Sequence, residues 1–266
     1  MLTTLLIYGL LGGFVGILAG LLGVGGGLVI VPILVIAFKI QGIPHEIIMH
    51  LALGTSLASI IFTSISSFMA HHKRGAVDWQ TVRRIVIGIL TGTFIGSCFV
   101  AILSTNILKL FFVCFIYFVA FQFLTNKKPK ASRELPGIFG MFLAGNTIGF
   151  ISSLVGIGGG AVSVPYMTWC NIAVHRAIGT SSAIGLPIAI SGTVGFVFNG
   201  WNNAVLPEYS IGYVYLPALL GIAAISVLTA PLGVKLAHSL PVGKLKKIFS
   251  LLLIIVGTKM LIDIIR

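Results

Sequence analysis

Two glycine runs, 133 residues apart, are the parts of this chain best suited to bind a ligand. The six positions are Gly25, Gly26, Gly27, Gly158, Gly159 and Gly160. Each run precedes an apolar stretch that is expected to be helical and that contains Pro32 or Pro165. A helix N-terminus exposes backbone N–H groups and the positive end of the helix dipole, so it stabilises an anion. The runs therefore predict an anion site, with close helix packing as the alternative use of glycine in a membrane.

Hydroxyl side chains follow each glycine run inside long apolar segments. They belong to two Gly-Thr-Ser triplets and are Thr55, Ser56, Thr180 and Ser181. A hydroxyl donates a hydrogen bond to an oxyanion without adding charge. The alternative is a bond back to the carbonyl four residues earlier, which is common in membrane helices. Because the triplet follows the same glycine run twice, we interpret the hydroxyls as anion ligands.

Two histidines, His50 and His175, also match across the repeat, each four residues before the glycine of a triplet. Histidine changes its charge near neutral pH, since its ordinary pKa is about 6.5. The two residues are therefore candidates for proton coupling. A position at the lipid head-group boundary, without a transport role, is the alternative.

Acidic residues are scarce and peripheral. All five lie in predicted loops or at the ends of apolar segments: Glu46, Asp78, Glu134, Glu208 and Asp263. With no carboxylate expected at mid-membrane, a carboxylate proton relay is unsupported, and an anion is favoured over a cation as cargo. The sequence has no Walker motif, nucleophile elbow or metal-ligand cluster, so no enzyme, cofactor or metal site is expected. The three cysteines, Cys98, Cys114 and Cys170, are interpreted as packing residues.

Composition places the chain in a membrane. Hydrophobic residues make up 57% of it and charged residues 8%, compared with about 45–50% and about 25% in soluble domains. The net charge of +12 would indicate nucleic acid in a soluble protein, but these basic residues lie in short loops, so no nucleic-acid partner is expected. The fold class is all-α, a multi-pass helical protein whose partner is the lipid bilayer.

Ten apolar segments form two sets of five. They are expected at 2–22, 28–40, 46–70, 84–104, 107–125, 136–156, 161–173, 176–198, 211–237 and 245–264. The second segment of each set is shorter than the roughly 20 residues that a span needs, which predicts a half-helix after each glycine break. The domains are therefore repeat 1 at 1–125, a cytoplasmic linker at 126–135 and repeat 2 at 136–266. Other glycines have the four-residue spacing of close helix packing: Gly12, Gly16, Gly20, Gly88, Gly92 and Gly96.

Charge in the loops predicts opposite orientations for the two halves. The loop His71–Arg84 and the linker Asn126–Glu134 each carry four basic residues and one acid, which places both in the cytoplasm by the positive-inside rule. The second-half counterpart of the first loop, Asn199–Glu208, has no basic residue. Basic residues occur instead at the counterpart of an outer turn: Lys244, Lys246 and Lys247. This inversion is typical of inverted-repeat secondary transporters. No Lys or Arg precedes Lys39, so the first segment is expected to be a retained span that begins outside.

The chain resembles the sulfite exporter TauE/SafE family of membrane permeases. The resemblance rests on the paired Gly-x-Gly-Gly-Gly-x-x-x-x-Pro runs at Gly23–Pro32 and Gly156–Pro165, each followed by a Gly-Thr-Ser triplet, and it covers essentially the whole chain. It implies a multi-pass permease of the bacterial or archaeal inner membrane, for sulfite, sulfoacetate or a related sulfonate or carboxylate. The implied ligands are the six glycines and four hydroxyls named above. At the loop ends the halves differ in chemistry, so a strictly symmetric site is not expected.

The leading hypothesis is a secondary transporter that moves a small anion by alternating access. A membrane scaffold or assembly factor is the alternative, and it would need a docking domain or exposed cysteines. A membrane-embedded enzyme is a third, and it would need clustered ionisable residues. The cargo, its direction and the coupling ion stay open at this point, and a homodimer is one open alternative for the assembly.

Overall fold

Ten helices and one short hairpin make up the part of the chain that the structure describes. The computed structural model describes residues 2–23, 25–125, 133–239 and 242–265. The helices are α1 (Leu2–Leu22), α2 (Gly27–Ile40), α3 (His45–His72), α4 (Trp79–Ala101), α5 (Thr105–Thr125), α6 (Ile138–Val155), α7 (Gly160–Trp169), α8 (Val174–Gly200), α9 (Leu216–Ser239) and α10 (Val242–Ile265). Strands β1 (Ser210–Ile211) and β2 (Val214–Tyr215) pair antiparallel. The helical fold class is confirmed, and each predicted apolar segment contains one helix.

Six of the described helices are long and apolar enough to cross a membrane. They are α3, α4, α5, α6, α8 and the Leu216–Ala237 part of α9. The two predicted half-helices are short, since α2 has 14 residues and α7 has 10. At about 1.5 Å per residue neither reaches across a hydrocarbon core of roughly 30 Å. The chain is a multi-pass membrane protein.

The centre of the bundle is an antiparallel pair, α3 and α8, which hold equivalent places in the two halves. Within the apolar 18-residue stretch of each span, 89% is buried inside the protein in α3 and 61% in α8, compared with 44% or less in the other four spans. Their directions follow from contacts near both ends. Ser67 Oγ donates to Ser182 Oγ over 3.2 Å, whereas Gly54 packs against Phe196 near the other end of α8. Antiparallel packing of equivalent helices is the arrangement that an inverted repeat requires.

Glycine faces join each half to the other. The first helix of each half packs along the fourth helix of the other half, as α1 on α9 and α6 on α4. Gly16 of α1 lies so close to α9 that an added methyl group would overlap the Ser226 carbonyl, and Gly92 of α4 stands in the same relation to Asn146 of α6. The other glycines of the two sets make equally close contacts: Gly12, Gly20, Gly88 and Gly96. The packing interpretation of these glycines is confirmed.

Two boundaries differ by five residues from those predicted, and the others differ by less. Helix α4 begins at Trp79, five residues before the predicted start at 84. It begins early because the carboxylate of Asp78 accepts hydrogen bonds from the N–H groups of Gln80 and Thr81 and so caps the helix. The loop between α3 and α4 is therefore shorter than His71–Arg84. The segment predicted to start at 211 was wrong for its first five residues, which form the hairpin around Gly212, whose φ of 52° is left-handed.

Two sequence predictions fall outside the described residues. Most of the linker predicted at 126–135 lies there, because residues 126–132 are not described. The side chains of Lys244 and Lys246, used above to orient the second half, are not described either. The domain boundaries at 1–125 and 136–266 therefore remain predictions.

Candidate functional site

The two glycine runs form two sharp turns. Gly23 follows α1 and Gly156 follows α6, with left-handed φ values of 66° and 67°. Gly26 and Gly159, with φ values of 79° and 77°, then stand immediately before α2 and α7. A residue with a side chain is strained at these angles, so the turn between successive helices depends on glycine.

These turns, one from each half, touch. A methyl group placed on Gly25 would lie 3.3 Å from the backbone nitrogen of Gly158, and one on Gly27 would overlap the carbonyl oxygen of Gly156. The glycines of both runs are buried. The N-termini of α2 and α7 therefore meet where the two halves meet. In this conformation the closest parts of the two turns are packed against each other.

Each half also holds the glycine turn of the other half through a serine. Ser56 Oγ of α3 donates to the Gly156 carbonyl over 2.7 Å, and Ser181 Oγ of α8 donates to the Gly23 carbonyl over 3.0 Å. Both serines are fully buried. The two bonds are equivalent under the repeat, since Ser56 matches Ser181 and Gly23 matches Gly156. They are reciprocal links between the halves.

The threonines of the triplets bind the other half in the same reciprocal way. Thr55 Oγ1 accepts a hydrogen bond from the Tyr215 N–H over 3.0 Å, and Thr180 Oγ1 accepts one from the Asp78 N–H over 2.9 Å. Tyr215 and Asp78 are the residues immediately before α9 and α4, the fourth helices of the two halves. Both triplets therefore bind the backbone of the opposite half, rather than only their own helix.

These bonds decide what the hydroxyls can do in this conformation. A serine hydroxyl has one proton to donate, and in Ser56 and Ser181 that proton goes to a carbonyl. Either serine could donate to an anion only after its link to the opposite turn opens. The structure thus brings the two glycine turns together but keeps the two triplets apart. Ser181 is next to Ser182, which lies opposite Ser67, and Ser67 is about 16 Å along α3 from Ser56 at roughly 1.5 Å per residue.

The two sides of this centre are not equivalent. Ser163 Oγ of α7 donates to Ser181 Oγ over 2.8 Å, whereas the matching position of α2 is Ile30. Gly185 of α8 lies beside Gly158, where α3 has Ile60 beside Gly25. The second half therefore supplies one more hydroxyl and less side-chain volume. Sequence reasoning missed Ser163, although the aligned glycine runs contain the signal, a serine opposite an isoleucine.

The two histidines are not brought together. His50 is 5% exposed, and its Nε2 lies 3.2 Å from the Val100 carbonyl and 3.1 Å from the Leu103 carbonyl at the end of α4. His175 is exposed, in the first turn of α8. The match in sequence is therefore not a match in environment, and His50 is the one that lies inside the protein.

Metal ligands do not cluster in the described part of the chain. It contains no group of three or more His, Cys, Asp or Glu residues that could hold a metal ion. Cys98, Cys114 and Cys170 are free thiols.

Comparison with known proteins shows the family. A family model described as sulfite exporter TauE/SafE matches residues 8–260. The chain belongs to this family. A family relative from Haemophilus influenzae, a probable membrane transporter protein, is 42% identical over 261 residues, which cover 98% of this chain and 99% of that protein. No solved structure matches the chain significantly.

More distant family relatives carry similar names. A probable membrane transporter protein of Methanocaldococcus jannaschii is 31% identical over 95% of this chain and 94% of its own length. The probable membrane transporter protein YunE of Bacillus subtilis is 29% identical over 75% of this chain and 79% of its own length. The chain is thus a multi-pass member of a family of membrane transporters.

Proposed function

We propose that this protein is a secondary transporter that carries a small anion, sulfite or a related organosulfur or organic anion, by alternating access. The observation that carries the proposal is the meeting of two glycine turns, one from each half, at the N-termini of α2 and α7. The proposed ligands are the ten residues predicted from the sequence, namely Gly25, Gly26, Gly27, Thr55, Ser56, Gly158, Gly159, Gly160, Thr180 and Ser181.

The chemistry of the turns favours a negative ligand. A helix N-terminus carries the equivalent of about half a positive charge together with N–H groups that no residue of the helix accepts. Here two such ends converge, and in α2 and α7 the first intrahelical bonds go to the carbonyls of Gly26 and Gly159. None of the five acidic residues is buried, so the centre has no fixed negative charge to repel an anion.

Transport would require the two turns to separate. The links to be broken are the bonds from Ser56 to Gly156 and from Ser181 to Gly23. Hydrogen bonds between membrane helices contribute about 0.6 kcal/mol on average and at most about 1.7 kcal/mol in a well-studied case. Opening both therefore costs little enough for a cycle between states that differ by a few kcal/mol.

An inverted repeat would allow the centre to open towards either side of the membrane. Equivalent helices run antiparallel in the α3–α8 pair, and the loop charges favour opposite insertion of the two halves. In such transporters one bundle rocks against the other around a site near the midplane. We assign the two rocking units to residues 1–125 and 136–266, and we assign proton coupling to His50, the one of the two matched histidines that lies inside the protein.

Flux into proteoliposomes tests the proposal. Purified protein is reconstituted, and uptake of sulfite, thiosulfate, sulfoacetate and lactate is measured against empty liposomes. We expect saturable uptake of at least one of these anions. If none is taken up by protein that is folded and correctly inserted, and a scaffold or catalytic activity is found instead, the proposal fails.

A further inference from the structure

A second group of charged side chains lies at the end of the bundle where α2 ends and α3 and α5 begin. Lys109, in the second turn of α5, is 5% exposed. Its Nζ lies 3.1 Å from Nε2 of His45, the first residue of α3. Lys39, near the end of α2, pairs with Asp263 of α10, with 3.2 Å between Nζ and Oδ1. The cluster therefore joins three helices of the first half to the last helix of the second.

Two lysines of this cluster, Lys39 and Lys109, share one nearby carboxylate. In the described part of the chain, Asp263 pairs directly with Lys39 and also acts on the Lys109 ammonium from farther away. A neutral imidazole accepts a hydrogen bond from Lys109 but supplies no negative charge. Glu46, the next residue after His45, is exposed. Two ammonium groups that share one carboxylate leave a net positive charge, which is costly for the buried Lys109, and an anion would remove that cost.

Helix dipoles at the same place also favour an anion. His45 begins α3, and Lys109 lies about one turn after the start of α5 at Thr105. The Thr105 hydroxyl donates to the Glu46 carbonyl over 2.7 Å and so ties the two helix starts together. Positive side chains are unfavourable at helix N-termini, whereas anions are favourable there. The loop charges place this end away from the cytoplasm, where an excess of basic residues is unusual.

We propose that Lys109 and His45 form a second anion-binding site, at this mouth of the protein, for a small oxyanion such as sulfite. The oxyanion would replace the imidazole as the acceptor for the Lys109 ammonium and would take a hydrogen bond from an imidazole N–H of His45. His45 is exposed, so the site is open to solvent on that side. It goes beyond the central site, because binding here leaves the two glycine turns in contact.

Equilibrium binding of radiolabelled sulfite to the full-length protein in nanodiscs, at low ionic strength, tests this site. We expect Lys109→Gln to weaken binding about tenfold or more, the effect of losing one charge-assisted hydrogen bond. Lys109→Arg keeps the charge and is expected to stay within about threefold of the wild type. Asp263→Asn removes the competing carboxylate and is expected to tighten binding about two- to fivefold. Lys247→Gln, an exposed lysine at the other end of α10, is the control for net charge and leaves binding unchanged.

Two results overturn the proposal. One is wild-type affinity in Lys109→Gln protein that elutes and melts like the wild type. The other, which holds even if Lys109→Gln does not fold, is unchanged or weaker binding in Asp263→Asn. Flux separates this site from the proposed function. If the wild type takes up sulfite and both variants bind it as the wild type does, only the second site is refuted. If the variants show the expected changes in binding but the wild type takes up no sulfite, only the transport proposal is refuted.

Discussion

Removing the serines of the two triplets should destabilise the protein in a fixed order. Ser152→Ala deletes a bond within one helix, since Ser152 Oγ donates to the Ile148 carbonyl of α6 over 2.6 Å. Ser56→Ala deletes one bond between the halves. Ser181→Ala deletes two contacts, because Ser181 donates to the opposite turn and also accepts from Ser163. All three replaced serines are fully buried, so exposure does not distort the comparison.

The magnitudes follow from the number of bonds lost between helices. With about 0.6 to 1.7 kcal/mol for each, Ser56→Ala should lower the free energy of unfolding by about that amount, and Ser181→Ala by roughly twice as much. Ser152→Ala should cost a few tenths of a kcal/mol, because its acceptor carbonyl keeps its helical bond.

Thermal unfolding and sulfite uptake of the three variants measure these effects. The expected order of loss in stability is Ser152→Ala, then Ser56→Ala, then Ser181→Ala. Because two of these hydroxyls are proposed ligands, the KM for sulfite should rise in Ser56→Ala and Ser181→Ala and stay at its wild-type value in Ser152→Ala. Equal destabilisation by all three variants would refute the reciprocal links. An unchanged KM in both triplet variants would leave these serines a packing role only.

Three further predictions test the glycine turn, the motion and the coupling. Gly26→Ala should abolish sulfite uptake. The control is Gly42→Ala, which should keep uptake because Gly42 has a similar φ of 75° but open space around it. Equal losses of uptake in both variants would assign the effect to backbone strain alone. A disulfide formed by Ser67→Cys with Ser182→Cys, whose oxygens lie 3.2 Å apart, should block uptake until it is reduced, and transport by the oxidised protein would argue against movement at this interface. His50→Gln, which can still donate to the two carbonyls, should lose the pH dependence of uptake that the wild type shows. A wild-type pH profile in this variant would remove His50 from coupling.

Much of the fold follows from local sequence signals. Continuous apolar segments marked the helices, and their length separated the spans from α2 and α7. Four-residue glycine spacing predicted close packing because this spacing repeats on one helix face. The hairpin before α9 was missed because its strands have only two residues each and merge with the apolar segment that follows. Helix α4 starts early because Asp78 caps it, whereas the sequence analysis counted Asp78 as one of the charges of a loop.

The contacts that assemble the centre could not be read from the sequence. The repeat predicted that two glycine turns and two triplets would be equivalent, but equivalence does not say which residues touch. Ser56 and Gly156 are 100 residues apart, and their bond depends on how the two halves pack. The pairing of Lys109 with His45 is hidden for the same reason. A buried lysine is recognisable only when the helices around it are in place.

A crystal structure with selenite, a heavier analogue of sulfite, is the measurement that tests the central claim most directly. The protein should come from a preparation that transports sulfite, and the anomalous signal of selenium would locate the anion. We predict a selenium peak within about 4 to 5 Å of backbone nitrogens of both glycine turns, so that selenite oxygens lie at the hydrogen-bond distance of about 3 Å, with the turns separated and at least one serine link broken. Selenium located elsewhere, with Gly25 still packed against Gly158 and both serine links intact, would contradict the account.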